Sequence, residues 1–218
     1  MGSRGRRMKD KVAQMERMAN FLAKRPNYED TKRAEKYLGY GNGGDTDKWL
    51  GGLSESNKMD VNVYTGYSYK DVNKAMREHD TKSDYWELGQ SIKKSLSQAT
   101  LSKGIVVHRG DDGAMFNFKP TSTPEEMVAS LRGKSGKTFT IDNFLSTSTT
   151  DPFTGQVQYH INVPKGKGRG AYIKKMSNYP TENEFLLNSS TKYRLDRAVK
   201  ARDDEKLTKI HVYLTVVD

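Results

Sequence analysis

The grammar of the sequence changes once, near residue 100, and that change constrains the fold more than any other feature. Before it, apolar residues recur at helical spacing. After it, short apolar runs are separated by clusters of Gly, Pro, Asn, Asp and Lys. Met8, Val12, Met15, Ala19 and Leu22 follow a 4-3-4-3 pattern that places them on one helical face, and Pro26 ends that segment. Further helices are predicted at 31–38, 68–78 and 83–99, the last with Ser83 as N-cap and Leu88, Ile92, Leu96 and Ala99 along one side. A loop is predicted at 39–52, where six of fourteen residues are Gly. Strands are predicted at 105–108, 139–146, 157–163, 171–173, 185–187, 193–199 and 210–217. Helices first and strands second predict an α+β fold with a mostly antiparallel sheet system, helical over 1–100 and β-rich over 101–218.

A chain of 218 residues fits one domain, and 34% hydrophobic residues suffice for a core if the β-rich half carries most of it. Lys plus Arg number 37 against 27 Asp plus Glu, a net charge of +10 that favours an anionic partner without choosing among nucleic acid, acidic protein and phosphate-rich ligand. The absence of cysteine excludes disulfides, thiolate catalysis and Cys-based zinc sites. No segment approaches the ~20 apolar residues of a membrane span. Residues 1–11 carry five cations and one acid but no apolar run, which does not read as a secretory signal.

Two motif matches fail on context. Gly39-Tyr-Gly41-Asn-Gly43-Gly44 satisfies a dinucleotide-binding fingerprint, but that motif works only between a strand and a helix, and here a helix precedes it. Gly136-Lys137-Thr138 ends like a phosphate loop, but its required first glycine is Leu131. The four histidines, His79, His108, His160 and His211, show no metal-ligand spacing and read as surface or packing residues, so no metal site is expected.

Three strand motifs carry chemistry. Val106-Val107-His108-Arg109-Gly110 ends an apolar run in a cation whose planar fork suits phosphate oxygens, and Gly110 permits close backbone approach to a ligand. In Phe144-Leu145-Ser146-Thr147-Ser148-Thr149, period-2 geometry puts Ser146 and Ser148 on one face, where small hydroxyls can orient a carboxylate or a sugar. In Glu182-Asn183-Glu184, an extended strand would present both carboxylates on one face about 7 Å apart, inviting a cationic centre or divided acid–base labour. Each motif alone also reads as ordinary strand-end polarity.

Taken together and in this order, the three motifs resemble the arginine–serine–glutamate class of ADP-ribosyltransferases. Val63-Tyr64-Thr65 followed by Tyr69-Lys70-Asp71-Val72-Asn73 is similar to the helical front half of its bacterial toxin members, and Tyr179-Pro180-Thr181 to their turn before Glu-x-Glu. The resemblance runs from about Tyr37 to the C-terminus. It implies a β-sandwich core over 101–218 that holds NAD as substrate, without a metal. It further implies that Arg109 meets the NAD phosphates or the adjacent ribose, Gly110 the nicotinamide amide, and Ser146 the second glutamate. Glu184 would grip the nicotinamide-ribose 2′-hydroxyl and Glu182 the guanidinium of an acceptor arginine, since Glu-x-Glu accompanies arginine acceptors in the family. Thr147, Ser148, Phe153 and Tyr64 are the other expected NAD contacts. Tyr67 and Asn73 are expected to line the cleft from the helical side, and Tyr179 to contact the target protein.

The expected partners are NAD and a protein presenting arginine. The alternatives are NAD glycohydrolysis, with water as acceptor, and an inactive basic module of a phage structural protein. The run from Lys165 to Lys175, with five cations and no acid, could meet a nucleic-acid backbone but reads better as a solvated hairpin. A secreted or injected effector and a phage-associated enzyme fit the sequence alike.

Overall fold

The computed structural model describes residues 35–36, 38–150, 154–202 and 208–218, and in it helices come first and strands follow. The helical part comprises α1 (Asp45–Gly52), α2 (Glu55–Val63), a π-helical turn at Tyr64–Ser68, α3 (Tyr69–Glu78) and α4 (Asp84–Leu96). Local chemistry sets their ends. Ser54 and Ser83 cap α2 and α4 by accepting from the N–H groups of Asn57 and Tyr85, and His79 closes α3 in a left-handed conformation. The helices expected at 68–78 and 83–99 are therefore α3 and α4. The helix expected over 8–22 lies outside the described residues. So does most of 31–38, of which Glu35, Lys36 and Leu38 are helical.

The loop expected at 39–52 is only half loop. Turns at 39–43 lead into α1, whose first turn carries Asp45 and Asp47 at the positive end of the helix dipole. Trp49 anchors α1 by donating its indole N–H to the Ser95 carbonyl of α4 at 2.8 Å. Glycine content hid a helix that tertiary contacts hold.

The strands are β1 (Thr100–Leu101), β2 (Ile105–Asp111), β3 (Thr138–Ile141), β4 (Leu145–Ser148), β5 (Val157–Val163), β6 (Gly166–Lys167), β7 (Gly170–Tyr172), β8 (Glu184–Leu187), β9 (Thr191–Arg202) and β10 (Thr208–Val217). Between β2 and β3 lies α5 (Pro124–Arg132), which the strand-like grammar of this half concealed. Its signal was nonetheless present: Thr123-Pro124-Glu125-Glu126 forms a capping box, with Thr123 and Glu126 each accepting the other's backbone N–H.

β1 and β6 form a two-stranded pair, and the other eight strands run in the order β3-β9-β10-β5-β2-β4-β8-β7. Among the described residues β2 meets β4 at one register pair, His108↔Ser148. This narrow junction divides the sheet into halves of five and three strands whose inner faces share a core. Val107, Tyr159 and Ile161 from one half lie in one cluster with Leu145, Phe185 and Leu187 from the other, and α5 adds Met127 and Leu131. The opposite face of the three-stranded half packs on the helices, where Leu186, Ala171 and Phe144 join Trp49, Val61, Tyr64 and Ile92. β8 is thus buried on both faces, which explains why Phe185-Leu186-Leu187 shows no polar alternation.

The sheet is mostly antiparallel as expected, with one parallel pairing among the described residues: β10 pairs antiparallel with β9 on one edge and parallel with β5 on the other. One strand expectation needs correction. The run at 139–146 is two strands interrupted at Asp142-Asn143-Phe144. β3 pairs with β9, and β4 with β8 in the other half-sheet. The histidines also associate more than their spacing suggested. His108 Nδ1 lies 3.1 Å from His160 Nδ1, and His160 Nε2 lies 2.9 Å from His211 Nδ1, forming a ladder across β2, β5 and β10 in which His160 and His211 are buried. Among the described residues, no helix is long and apolar enough to cross a membrane.

Candidate active site

A cleft of about 1390 Å³ opens where the helical part meets the β2–β4 junction. Its lining includes Tyr64, Arg109, Gly110, Ser146, Tyr179, Glu182 and Glu184, brought together from residues more than a hundred positions apart. Arg109 and Gly110 stand near the end of β2. The guanidinium Nη1 donates to the Ser146 carbonyl at 2.9 Å, and Nε faces Asp111 at 3.5 Å, so the fork is held from two sides.

Glu184 opens β8 and is 4% exposed. Burial pushes its carboxyl up to about 7; the Ser146 hydroxyl opposes the shift, the charge of Glu182 adds to it, and Arg109 and the Ser177 hydroxyl oppose it. Glu182 is more open, and burial raises its carboxyl as well. The expectation that both acids leave one extended strand is corrected here. Glu182 ends a 3-10 turn at Pro180–Glu182, and Asn183 follows at φ 48°, ψ 48° in the left-handed region. Asn183 is buried, accepts from the Tyr172 hydroxyl at 3.1 Å and donates to Thr150 Oγ1 at 3.3 Å. The middle residue of Glu-x-Glu is thus the pivot that aims Glu182 into the cleft beside Glu184.

A directed chain of hydrogen bonds reaches Glu184 from the helices. The Phe144 N–H donates to Asn73 Oδ1 at 3.1 Å, which fixes the amide so that Nδ2 donates to the Tyr64 hydroxyl at 3.1 Å. Tyr64 is buried against Phe144 and also hydrogen-bonds Ser146, while Ser146 hydrogen-bonds Glu184. With its lone pair engaged by Asn73, the Tyr64 proton points to Ser146, and the Ser146 proton is left for Glu184. Burial, then the nearby Glu184 charge, drives the Tyr64 hydroxyl far above its ordinary range, so it stays protonated as this chain requires.

The ADP-ribosyltransferase exoenzyme family matches residues 39–217. The chain belongs to that family. It is 27% identical over 166 residues to an NAD(+)–arginine ADP-ribosyltransferase of Enterococcus faecalis, covering 70% of this chain and 31% of that protein. Secreted exoenzyme S of Pseudomonas aeruginosa is also 27% identical, over 188 residues that cover 81% of this chain and 34% of the relative. The chain therefore spans about a third of the length of these curated relatives. Among solved structures, the Paenibacillus larvae ADP-ribosyltransferase toxin Plx2a superposes with a TM-score of 0.74 at 23% identity, covering 87% of this chain and 97% of that one. The ADP-ribosylating component BECa of a Clostridium perfringens binary enterotoxin, solved with NADH, has a TM-score of 0.74 at 22% identity, with coverage of 88% and 50%. These likenesses establish the same fold.

Not every anticipated contact of this ADP-ribosyltransferase domain faces the cleft. Thr147 and Ser148 are buried behind it. Thr147 donates to the Phe185 carbonyl at 2.5 Å and Ser148 to the Glu182 carbonyl at 2.7 Å, so both brace the segment that carries the acids. Phe153 lies outside the described residues. Tyr67 lines the cleft mouth at 94% exposure, and Asn73 lines its helical wall. Residues not anticipated include Lys74 and Arg77, which join Lys70 on the cleft side of α3. Their 4-3 spacing was a readable helical face. Ser177 and Asn178 gave no signal, because their partners are distant in sequence. Among the described residues, no group of three or more His, Asp or Glu side chains is placed to hold a metal ion. Three of the five cations between Lys165 and Lys175 are engaged in ion pairs: Arg169 with Asp218, Lys174 with Glu35 and Lys175 with Asp47.

Proposed function

We propose that this domain cleaves the nicotinamide–ribose bond of NAD and transfers ADP-ribose to an arginine side chain of a target protein. One observation carries the reading: a buried carboxylate, Glu184, is oriented by hydroxyl donors within a cleft that also presents Arg109 and a second, more open carboxylate, Glu182. The Enterococcus faecalis relative, whose name specifies arginine, supports the choice of acceptor.

In this reading NAD lies across the cleft, with its phosphates at Arg109 and the α3 cations and its nicotinamide amide at the Gly110 backbone. Ionised Glu184 accepts a hydrogen bond from the 2′-hydroxyl of the nicotinamide ribose. That bond strengthens as positive charge develops at C1′ while the glycosidic electron pair leaves with nicotinamide. An arginine guanidinium nitrogen then bonds to C1′, and its proton passes to Glu182. The acceptor is cationic with a pKa above ~12, so a carboxylate at the attack point both holds it and removes the proton. Burial raises Glu182, which makes it a better base than an ordinary surface carboxylate.

The test is incubation of the purified chain with NAD and agmatine, a small guanidine, following nicotinamide and ADP-ribosyl-agmatine by mass spectrometry. Formation of the adduct is expected. Nicotinamide without adduct would replace transfer by glycohydrolysis, and neither product would overturn the enzymatic reading.

A further inference from the structure

The segment between β7 and β8 does more than carry Tyr179 and Glu182 to the cleft. It begins at Ile173, whose N–H donates to the Glu184 carbonyl at 3.0 Å, and turns back at once: the N–H groups of Met176 and Ser177 donate to the Ile173 carbonyl at 2.8 and 2.9 Å. A turn that starts on the backbone partner of Glu184 and reverses within four residues returns the Ser177 side chain to Glu184. There its hydroxyl hydrogen-bonds the carboxylate, as that of Ser146 does.

One further contact makes Ser177 a directed donor. The Tyr179 N–H donates to Ser177 Oγ at 3.0 Å, engaging a lone pair and leaving the hydroxyl proton for the carboxylate. The next residue fastens the turn to the helical part. Asn178 donates its backbone N–H to Thr65 Oγ1 at 3.0 Å and its side-chain amide to the Asn62 carbonyl at 2.7 Å, while Asn62 Nδ2 donates to the Met176 carbonyl at 2.8 Å. The clasp places Ser177 from two structural elements rather than leaving it on a loose loop.

We propose that Ser177 is a second positioning residue for Glu184, aiming the carboxylate together with the Tyr64–Ser146 chain. This rests on the assignment of Glu184 as the group that meets the ribose. The charged and titratable groups facing Glu184 are Arg109 from β2, Glu182 from the 3-10 turn and Tyr64 from the π-helical turn. None changes when Ser177 is altered. Removing this donor withdraws a hydrogen bond made to the charged form, so the midpoint of Glu184 rises.

The experiment titrates the carboxyl carbons of the chain, labelled with 13C-glutamate, by NMR without NAD, for the native sequence, Ser177→Ala and Ser177→Thr; circular dichroism confirms that each is folded. Ser177→Ala is expected to raise the Glu184 midpoint by roughly one pH unit. Ser177→Thr, which restores a hydroxyl, is expected to return it. With NAD and agmatine, the acid limb of the Ser177→Ala rate profile should shift by the same amount, and kcat should fall about tenfold while KM for NAD stays within twofold. An unmoved midpoint in folded Ser177→Ala would overturn the proposal. So would a shift that Ser177→Thr does not reverse, since that would assign the effect to packing of the turn. Because the midpoint is read without substrate, the absence of NAD turnover in all three proteins would instead remove the functional reading.

Discussion

Glu182 and Glu184 are two positions apart yet live under different physics. Glu184 begins a strand whose four residues are all buried, braced by β4 on one side and β7 on the other. Glu182 ends a single 3-10 turn, next to an exposed Tyr179 and ahead of a left-handed asparagine. The strand supplies a fixed, dry environment in which a hydrogen bond to a developing cation is strong; the turn supplies reach toward whatever approaches the cleft. On the proposed function, NAD activation is built into the sheet and acceptor choice into the turn. Substitutions on either side should separate the two.

The largest effect is expected at the strand. Glu184→Gln should lower nicotinamide release on the order of 100- to 1000-fold, with or without agmatine. It should also stabilise the fold above neutral pH. The folded-state pKa of Glu184, about 7, lies above the ordinary carboxyl value of 4.5, so the folded state holds the proton more tightly. Stability attached to this group is complete below about 4.5 and is lost as pH rises through 7, a cost of roughly 2–3 kcal/mol at pH 8. Thermal melts at pH 8 should therefore show the variant above the native protein. An equal or lower melting temperature would mean that Glu184 does not feel the burial assigned to it.

At the turn, Glu182→Gln should separate transfer from cleavage. ADP-ribosyl-agmatine formation is expected to fall about 100-fold, while nicotinamide release without acceptor stays within a few-fold. Parallel loss of both activities would collapse the division between strand and turn.

A sharper form of the contrast comes from the histidine ladder that starts at the β2–β4 junction. Burial depresses His108 to about 4, and burial likewise lowers His160 further still, with the neighbouring ladder histidines and Arg197 adding to that shift. For these groups the unfolded chain binds the proton more readily, so stability is lost as pH falls from about 6.5 toward 4, by roughly 1–2 kcal/mol per unit. That is opposite in sign to Glu184. The Glu184→Gln protein, relieved of the opposing carboxylate, should show the steeper acid loss between pH 6.5 and 4.5 in urea titrations, and His160→Gln added to it should flatten that slope.

The strand side of this comparison was legible in the sequence and much of the turn side was not, for physical reasons. Arg109, Ser146 and Glu184 sit on regular strands, where a period of two and an adjoining apolar run define the local geometry. Glu182 was placed in the right cleft by the wrong route, because a left-handed Asn183 and its buried ties to Tyr172 and Thr150 depend on contacts between β7, β8 and the segment after β4. Thr147 and Ser148 were expected at NAD from the family resemblance, and their carbonyl partners, distant in sequence, left no trace that would have placed them behind the cleft. Helix α1 was hidden by its glycines and α5 by its surroundings, although the Thr123 capping box announced α5 locally. Ser177 and Asn178 were invisible for the same reason as the turn itself: a clasp between residues 62–65 and 176–178 leaves no periodic trace.

The smallest effect belongs to the outermost residue of the turn, and it tests the comparison most finely. Tyr179 is 49% exposed at the cleft mouth, and its backbone N–H, rather than its ring, ties it to Ser177. Tyr179→Ala keeps that N–H, so the Ser177 contact with Glu184 and the rate with agmatine should remain within twofold, and the melting temperature should hardly move. A protein acceptor covers more of the turn than agmatine does, and loss of one aromatic anchor from such a contact costs about 1–2 kcal/mol, or roughly tenfold in kcat/KM. Measuring both acceptors with the same variant therefore asks whether the ring serves recognition alone. Equal losses for agmatine and protein would place the Tyr179 ring in the support of Glu184 and would join the turn to the strand as one catalytic unit.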